Sequence, residues 1–212
     1  MGKTILFDLD GTLTDSGEGI INCAVLALER FGLPIPEREA MRVFVGPPLH
    51  DTFVKFGVPE DKADEAIRVY RSRYTTVGLF ENAPYTGIED LLKTLKGRGC
   101  RLLVATSKPE EMSVRILEKF GLSHYFDRIC GASMDRSRVC KEDVIAYLLS
   151  TCNPGEDVVM VGDTHYDVEG ATAHGIPTIG VAWGYGTVES MEKAGAKAIA
   201  YSMEELLTLL NA

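Results

Sequence analysis

What most constrains this chain is a change of rhythm along it. From Pro84 onward, short and nearly all-apolar runs alternate with helical stretches, whereas 16–82 carries almost no strand pattern. The apolar runs fall at 101–105, 127–130, 157–161, 178–181 and 197–200, and another at 4–7 precedes the helical segment. Helical patterns occupy 86–97, 109–120, 141–150, 167–174 and 203–210. Strands without a polar face are buried on both sides, and strand–helix alternation builds a parallel sheet covered on both faces. The expected fold is α/β, a doubly wound parallel sheet with an all-helical unit inserted after the first strand. The core then comprises 1–15 and 83–212, the inserted helical domain 16–82, with hinges at 14–17 and 81–84.

Local signals refine this outline. Thr86-Gly87-Ile88-Glu89 has the form of a capping box, followed by the stripe Ile88, Leu91, Leu92 and Leu95. In the inserted segment Ile20, Ala24, Ala27, Leu28 and Phe31 form one stripe, and a second long helix is expected over 61–74. A net charge of −9 with no block of Lys and Arg argues against a nucleic acid polymer as partner. No run of about 18 apolar residues suggests a membrane span, and the N-terminus lacks a leader pattern. Five scattered cysteines without a C-x-x-C pair read as free thiols of a reducing cytosol, so a cytoplasmic setting is expected. Cys140 reads as a plain structural thiol.

Ligands of open parallel sheets bind beyond the carboxyl ends of the strands. The first strand ends in Asp8-Leu9-Asp10-Gly11-Thr12, and strand alternation points Asp8 and Asp10 the same way. Carboxylates that close repel unless a cation or a proton intervenes. A metal-bridged carboxylate can attack an electrophile while its protonated neighbour serves a leaving group; a simple turn cap is the other reading. The run 101–105 leads into Thr106-Ser107-Lys108-Pro109-Glu110, where Thr106 or Ser107 caps the next helix, either structurally or as an anion site. The run 157–161 leads into Gly162-Asp163-Thr164-His165-Tyr166-Asp167, with Asp163 and Asp167 one helical turn apart. Such oxygen donors suit Mg²⁺. His165 has no second His or Cys at ligand spacing and reads as a loop residue. Lys141 opens a helix and, aimed at the strand ends, would neutralise part of a carboxylate–phosphate cluster.

In combination these elements resemble the haloacid dehalogenase superfamily, most closely its phosphoglycolate phosphatase-like branch. The strings at 7–16, 105–109 and 161–171 carry the resemblance, with the Lys141 region and the inserted helices, so it covers essentially the whole chain. The resemblance implies a Rossmann-like core with a helical cap, and a Mg²⁺-dependent phosphatase of a small phosphorylated metabolite: phosphoglycolate-like, a nucleotide or a sugar phosphate. It makes Asp8 the nucleophile that becomes an aspartyl-phosphate, and Asp10 the general acid and then base. Mg²⁺ would bind the Asp8 carboxylate, the Asp10 main-chain carbonyl and Asp163, with Asp167 supporting the waters of the ion. Thr106 and Lys141 would hold phosphoryl oxygens; Leu9, Ser107 and Lys108 would be further substrate contacts. Cap residues around Phe44-Val45-Gly46-Pro47-Pro48, Arg71 and Tyr74 would set specificity, although Arg71 and Tyr74 read more readily as helix-surface residues. The Trp183-Gly184-Tyr185-Gly186 turn reads as part of the entrance or as packing. The alternatives are a phosphomutase of the β-phosphoglucomutase type, a 5′-nucleotidase as the specific phosphatase activity, a dehalogenase, which Asp10 disfavours, and a non-catalytic binding protein.

Overall fold

The computed structural model describes residues 2–135 and 137–210. In chain order, the elements up to the end of the helical insertion are β1 (Thr4–Phe7), β2 (Thr14–Asp15), α1 (Gly17–Arg30), α2 (Leu49–Lys55), α3 (Ala63–Tyr74) and β3 (Ala83–Pro84). There follow α4 (Ile88–Gly97), β4 (Arg101–Pro109), α5 (Glu110–Lys119), β5 (Arg128–Ala132), α6 (Lys141–Thr151) and β6 (Val158–Gly162). The chain closes with α7 (His165–Thr172), β7 (Thr178–Val181), α8 (Val188–Ala194), β8 (Ala198–Ala200) and α9 (Met203–Leu209).

Six strands form one sheet in the order β5-β4-β1-β6-β7-β8, and all of its pairings are parallel. The two-residue periodicity of β1 shows why both faces are covered. Ile5 and Phe7 pack on one side with Ile88 and Leu92 of α4 and Leu206 of α9, while Leu6 packs on the other with Val144, Ile145 and Leu148 of α6. The α/β reading of the apolar runs thus holds for the observed sheet. At about 25 cal/mol per Å² of buried apolar surface, these two layers supply most of the driving force for folding.

β2 and β3 pair antiparallel, Thr14 opposite Pro84 and Asp15 opposite Ala83, and between them the chain is helical. α1 packs on α3 through a stripe that includes Ile20, Ala24, Ala27 and Leu28, all buried. Gly19 makes the return of the chain possible: a Cβ there would come within 1.9 Å of the Gly78 carbonyl oxygen. The second long helix starts at Ala63, its anticipated first turn being the 3₁₀ turn Glu60–Lys62.

The structure corrects several helix starts. α4 has no capping box, because its N-cap is Gly87 with φ +88°, which puts Thr86 one residue too early to cap. Thr106 and Ser107 cap nothing: β4 continues through them to Pro109, the N-cap of α5, with a register irregularity on the way. α7 starts at His165, not at 167, because Thr164 and Asp167 form a reciprocal capping box around its first turn. α8 lay outside the sequence reading; it is short and buries only Met191. The five cysteines are all free, and no helix among the described residues is long and apolar enough to cross a membrane.

Candidate active site

β1 lies between β4 and β6, so the chain leaves it toward both edges of the sheet. Such a switch point opens a crevice at the strand carboxyl ends. Asp8 follows β1, Thr106 lies in the far part of β4, and Asp163 follows β6. Asp8, Asp163 and Asp167 are 8%, 0% and 0% exposed, and each offers an oxygen within 4.8 Å of the other two. Lys141, first residue of α6, places Nζ 2.7 Å from Asp8 Oδ1 and 2.7 Å from Asp167 Oδ1, and donates to the Ala105 carbonyl at 2.9 Å. One ammonium thus holds both carboxylate oxygens. Gly170 lets α7 approach: a Cβ there would sit 2.7 Å from Lys141 Cβ.

The charges do not balance. Three buried carboxylates face one ammonium, a net of −2 (three negative, one positive) in a site where an uncompensated charge costs several kcal/mol. Burial pushes the Asp8 carboxyl up to about 6, Lys141 and the Thr106 hydroxyl opposing it and Asp167 adding to it. Burial likewise pushes Asp163 well above the usual carboxylate range, with the charges of Asp167 and Asp8 adding to the effect. Burial works against the Lys141 ammonium, yet Asp167 and Asp8 outweigh it and hold its pKa above the ordinary lysine value. An all-oxygen donor set short of two positive charges fits a hard divalent cation.

Asp163 is clasped from behind. Thr12 Oγ1 donates to its Oδ1 at 3.2 Å and the Tyr185 N–H to its Oδ2 at 2.7 Å, while Trp183 Nε1 donates to the Thr12 carbonyl at 3.2 Å. Gly11, with φ +82°, leaves no space for a side chain, since a Cβ would come within 2.2 Å of Asp163 Oδ2. Asp167 Oδ2 accepts from the N–H and hydroxyl of Thr164 at 3.0 and 2.9 Å, the capping box that also starts α7.

Asp10 has separate company. Lys108 Nζ lies 2.5 Å from its Oδ2, and the same ammonium sits 5.0 Å from the centroid of the Tyr74 ring in α3. Within the Asp8–Asp10 pair each carboxylate faces its own lysine. Thr106 Oγ1 accepts the Lys108 N–H at 3.3 Å. The Leu9 side chain is wholly buried, leaving only its main chain to face a ligand.

A cavity of about 380 Å³ joins Asp8, Asp10, Thr106, Ser107, Lys108 and Lys141 to the helical segment. From that segment Phe44, Gly46, Pro47, Pro48, Arg71 and Tyr74 line it, so Arg71 and Tyr74 belong to the cavity wall. The 183–186 turn is absent from this lining and braces Asp163 instead. His165 stands outside the carboxylate group, and the Cys140 side chain caps the first turn of α6. Sequence reasoning missed Thr12, Thr164 and Tyr185. Thr164 and Asp167 show capping-box spacing that could have been found; the donor that Tyr185 offers Asp163 is its main-chain N–H, which leaves no side-chain signal.

Residues 5–181 match the model of the haloacid dehalogenase-like hydrolase family. The chain is 45% identical over 201 residues to the tyrosine-protein kinase PtkA of Mycobacterium tuberculosis, covering 94% of this chain and 69% of that one. It is 41% identical over 189 residues to a 5′-nucleotidase of Pseudomonas aeruginosa, covering 88% and 86%. The crystal structure of a predicted phosphatase from Clostridium acetobutylicum superposes with a TM-score of 0.95 at 43% identity, covering 100% and 99% of the two chains. A family match across most of the chain, a neighbour of this closeness and the carboxylates at the strand ends lead to one conclusion: the chain belongs to the haloacid dehalogenase-like hydrolases and is an enzyme of the phosphoric monoester hydrolase kind.

Proposed function

We propose that this protein is a Mg²⁺-dependent phosphatase of small phosphomonoesters that works through an aspartyl-phosphate on Asp8. The observation that carries the reading is the buried group Asp8, Asp163, Asp167 and Lys141, two positive charges short of balance and opening on the cavity through Asp8. Asp8 attacks phosphorus in line, its unengaged oxygen forming the new bond as the ester bond breaks. Lys141 and the Thr106 hydroxyl hold Asp8 in that orientation and receive phosphoryl oxygens. Asp10, anchored by Lys108 on the same cavity wall, gives its proton to the departing alkoxide. In the second half it takes a proton from the water that attacks the aspartyl-phosphate, which restores both carboxyl groups. Ser107, Lys108 and the main-chain N–H of Leu9 complete the substrate contacts. When bound, Mg²⁺ supplies the missing positive charge for the carboxylates and the transferring group; Asp8, the Asp10 carbonyl and Asp163 would hold it, with Asp167 behind them.

Magnitudes require the whole set. Uncatalysed phosphate monoester hydrolysis can demand an acceleration approaching ~10²¹-fold, of which one general acid supplies about 10²–10⁴. Positioning and preorganised charge must carry the remainder. Segment 16–82 acts as the cap, seated over the site and joined to the core through β2 and β3; closing it excludes bulk water during transfer. The substrate is a small phosphorylated metabolite, in keeping with a cavity of about 380 Å³, and five free cysteines favour a reducing, cytoplasmic setting.

The reading is tested by phosphate release across a panel of phosphoglycolate, nucleoside monophosphates and sugar phosphates, with and without chelator. At least one member should be turned over with Mg²⁺ and none after chelation. Full activity in chelator removes the metal, and an isomeric sugar phosphate in place of free phosphate makes the enzyme a mutase.

A further inference from the structure

The 183–186 turn touches Asp163 on one side and the root of the helical segment on the other. Toward Asp163, the Tyr185 N–H donates to Oδ2 at 2.7 Å. Gly184 and Gly186 are pressed so close that a Cβ on them would lie 2.3 Å from Asp163 Cβ and 2.1 Å from its carbonyl oxygen, respectively. The turn therefore has no slack against this carboxylate.

Toward the helices, the Tyr185 hydroxyl donates to Asp15 of β2 and accepts the N–H of Gly17, first residue of α1, at 2.6 Å. Asp15 is paired with Ala83 of β3, so the hydroxyl sits where both chain crossings run side by side. Gly17 is kept bare by this contact, as a Cβ there would lie 2.7 Å from the hydroxyl oxygen. A third contact comes from Arg42, in the 3₁₀ turn Ala40–Phe44 of the helical segment. Its guanidinium lies 5.0 Å from the Tyr185 ring centroid and donates to the Gly184 carbonyl at 3.1 Å.

We propose that Tyr185 is a positioning residue that ties the seating of the helical segment to the placement of Asp163, so that this seating and divalent-cation affinity are linked. The proposal rests on the metal reading of the carboxylate group. Its physical basis is that one residue holds the hinge by its side chain and the carboxylate by its main chain. A shift of β2, α1 or Arg42 is passed to the Asp163 hydrogen bond without an intervening flexible joint. Linkage between two such equilibria is reciprocal. A cation drawn to Asp163 must firm the hinge contact, and a loosened hinge must weaken the cation.

The test titrates Mg²⁺ calorimetrically into the full chain without substrate, for the parent protein, Tyr185→Phe, Arg42→Ala and the double variant. Phenylalanine keeps the ring for Arg42 and the N–H for Asp163 and removes the hydroxyl with its bonds to Asp15, Gly17 and Tyr85. Both single variants should weaken Mg²⁺ binding, by up to about tenfold, the lower end of what outer contacts of a metal site contribute. The double variant should fall short of the summed losses, because both changes cut one path. Hydrogen exchange at the Gly17 amide should slow on adding Mg²⁺ to the parent protein and not to Tyr185→Phe. Unchanged affinity in both single variants, or losses that simply add, overturns the proposal. Should Tyr185→Phe fail to fold, Arg42→Ala and the Gly17 amide carry the test. A parent chain that binds no Mg²⁺ is a different failure, since it removes the metal reading itself and the proposal with it.

Discussion

Asp8 and Asp10 stand one residue apart yet live in different electrostatic surroundings, which in the proposed reading divides their labour. Asp8 is paired with Lys141 inside a buried acidic group, whereas Asp10 is paired with Lys108 on the cavity wall. An acid is needed only where the leaving group is poor. Asp10→Asn should therefore lower kcat on alkyl phosphates by about 10²–10⁴-fold and affect p-nitrophenyl phosphate far less; equal losses on both would contradict the acid role. The pH dependence follows from Asp8. Its pKa is raised from 3.8 to about 6, so its contribution to stability is full below its unfolded value and is lost as pH rises through the folded one. Asp163, also raised, acts in the same direction. The metal-free protein should accordingly lose stability between about pH 4 and pH 6 through Asp8, with Asp163 adding a loss of the same sign as pH rises. Added Mg²⁺ competes with the same protons, so its increment in Tm should be small at about pH 5 and larger above about pH 7. An increment independent of pH would mean that the ion binds elsewhere.

At the scale of elements, the ends of strands and helices do the positioning. The Thr164–Asp167 box starts α7 and also fixes one oxygen of Asp167. Thr164→Val keeps the shape and removes the hydroxyl; urea unfolding should show a loss of about 1 kcal/mol, and an unchanged midpoint would show the cap to be idle. Gly11→Ala should cost at least about 1 kcal/mol, since its φ of +82° disfavours a side chain and the added carbon meets Asp163. The apolar runs were legible because parallel strands are buried on both faces. So was the gathering of Asp8, Thr106 and Asp163 at one end, because each follows an apolar run, whereas Lys141 opens a helix and was placed by the family resemblance. What escaped was set by distant partners. β4 extends to Pro109 because Ala132 of β5 pairs with it there, where Gly131 leaves room for the Lys108 carbonyl, 2.4 Å from a would-be Cβ. The false box at Thr86 had the right spacing but a left-handed Gly87 in its path. Main-chain donors such as the Tyr185 N–H have no residue type of their own.

At the scale of the whole molecule, a protein of net charge −9 handles an anionic substrate. The overall field repels that substrate, and lysines 108 and 141 act only at short range because each is already paired. For the substrate with the highest kcat/KM, raising ionic strength should hold or increase kcat/KM, because screening weakens the repulsion. A steep fall would reveal a positive funnel at the entrance. In the proposed reading, the two crossings β2 and β3 make the helical segment a lid over the strand ends, and the site beneath it serves one step, the transfer of phosphorus to Asp8. That step is tested most directly by a single turnover with Mg²⁺ quenched in acid and mapped by mass spectrometry. The phosphoryl group should be found on Asp8, and Asp8→Asn should retain its fold while accumulating no phosphoprotein and losing turnover. A phosphoryl group on another residue, or full turnover by Asp8→Asn, would contradict the account.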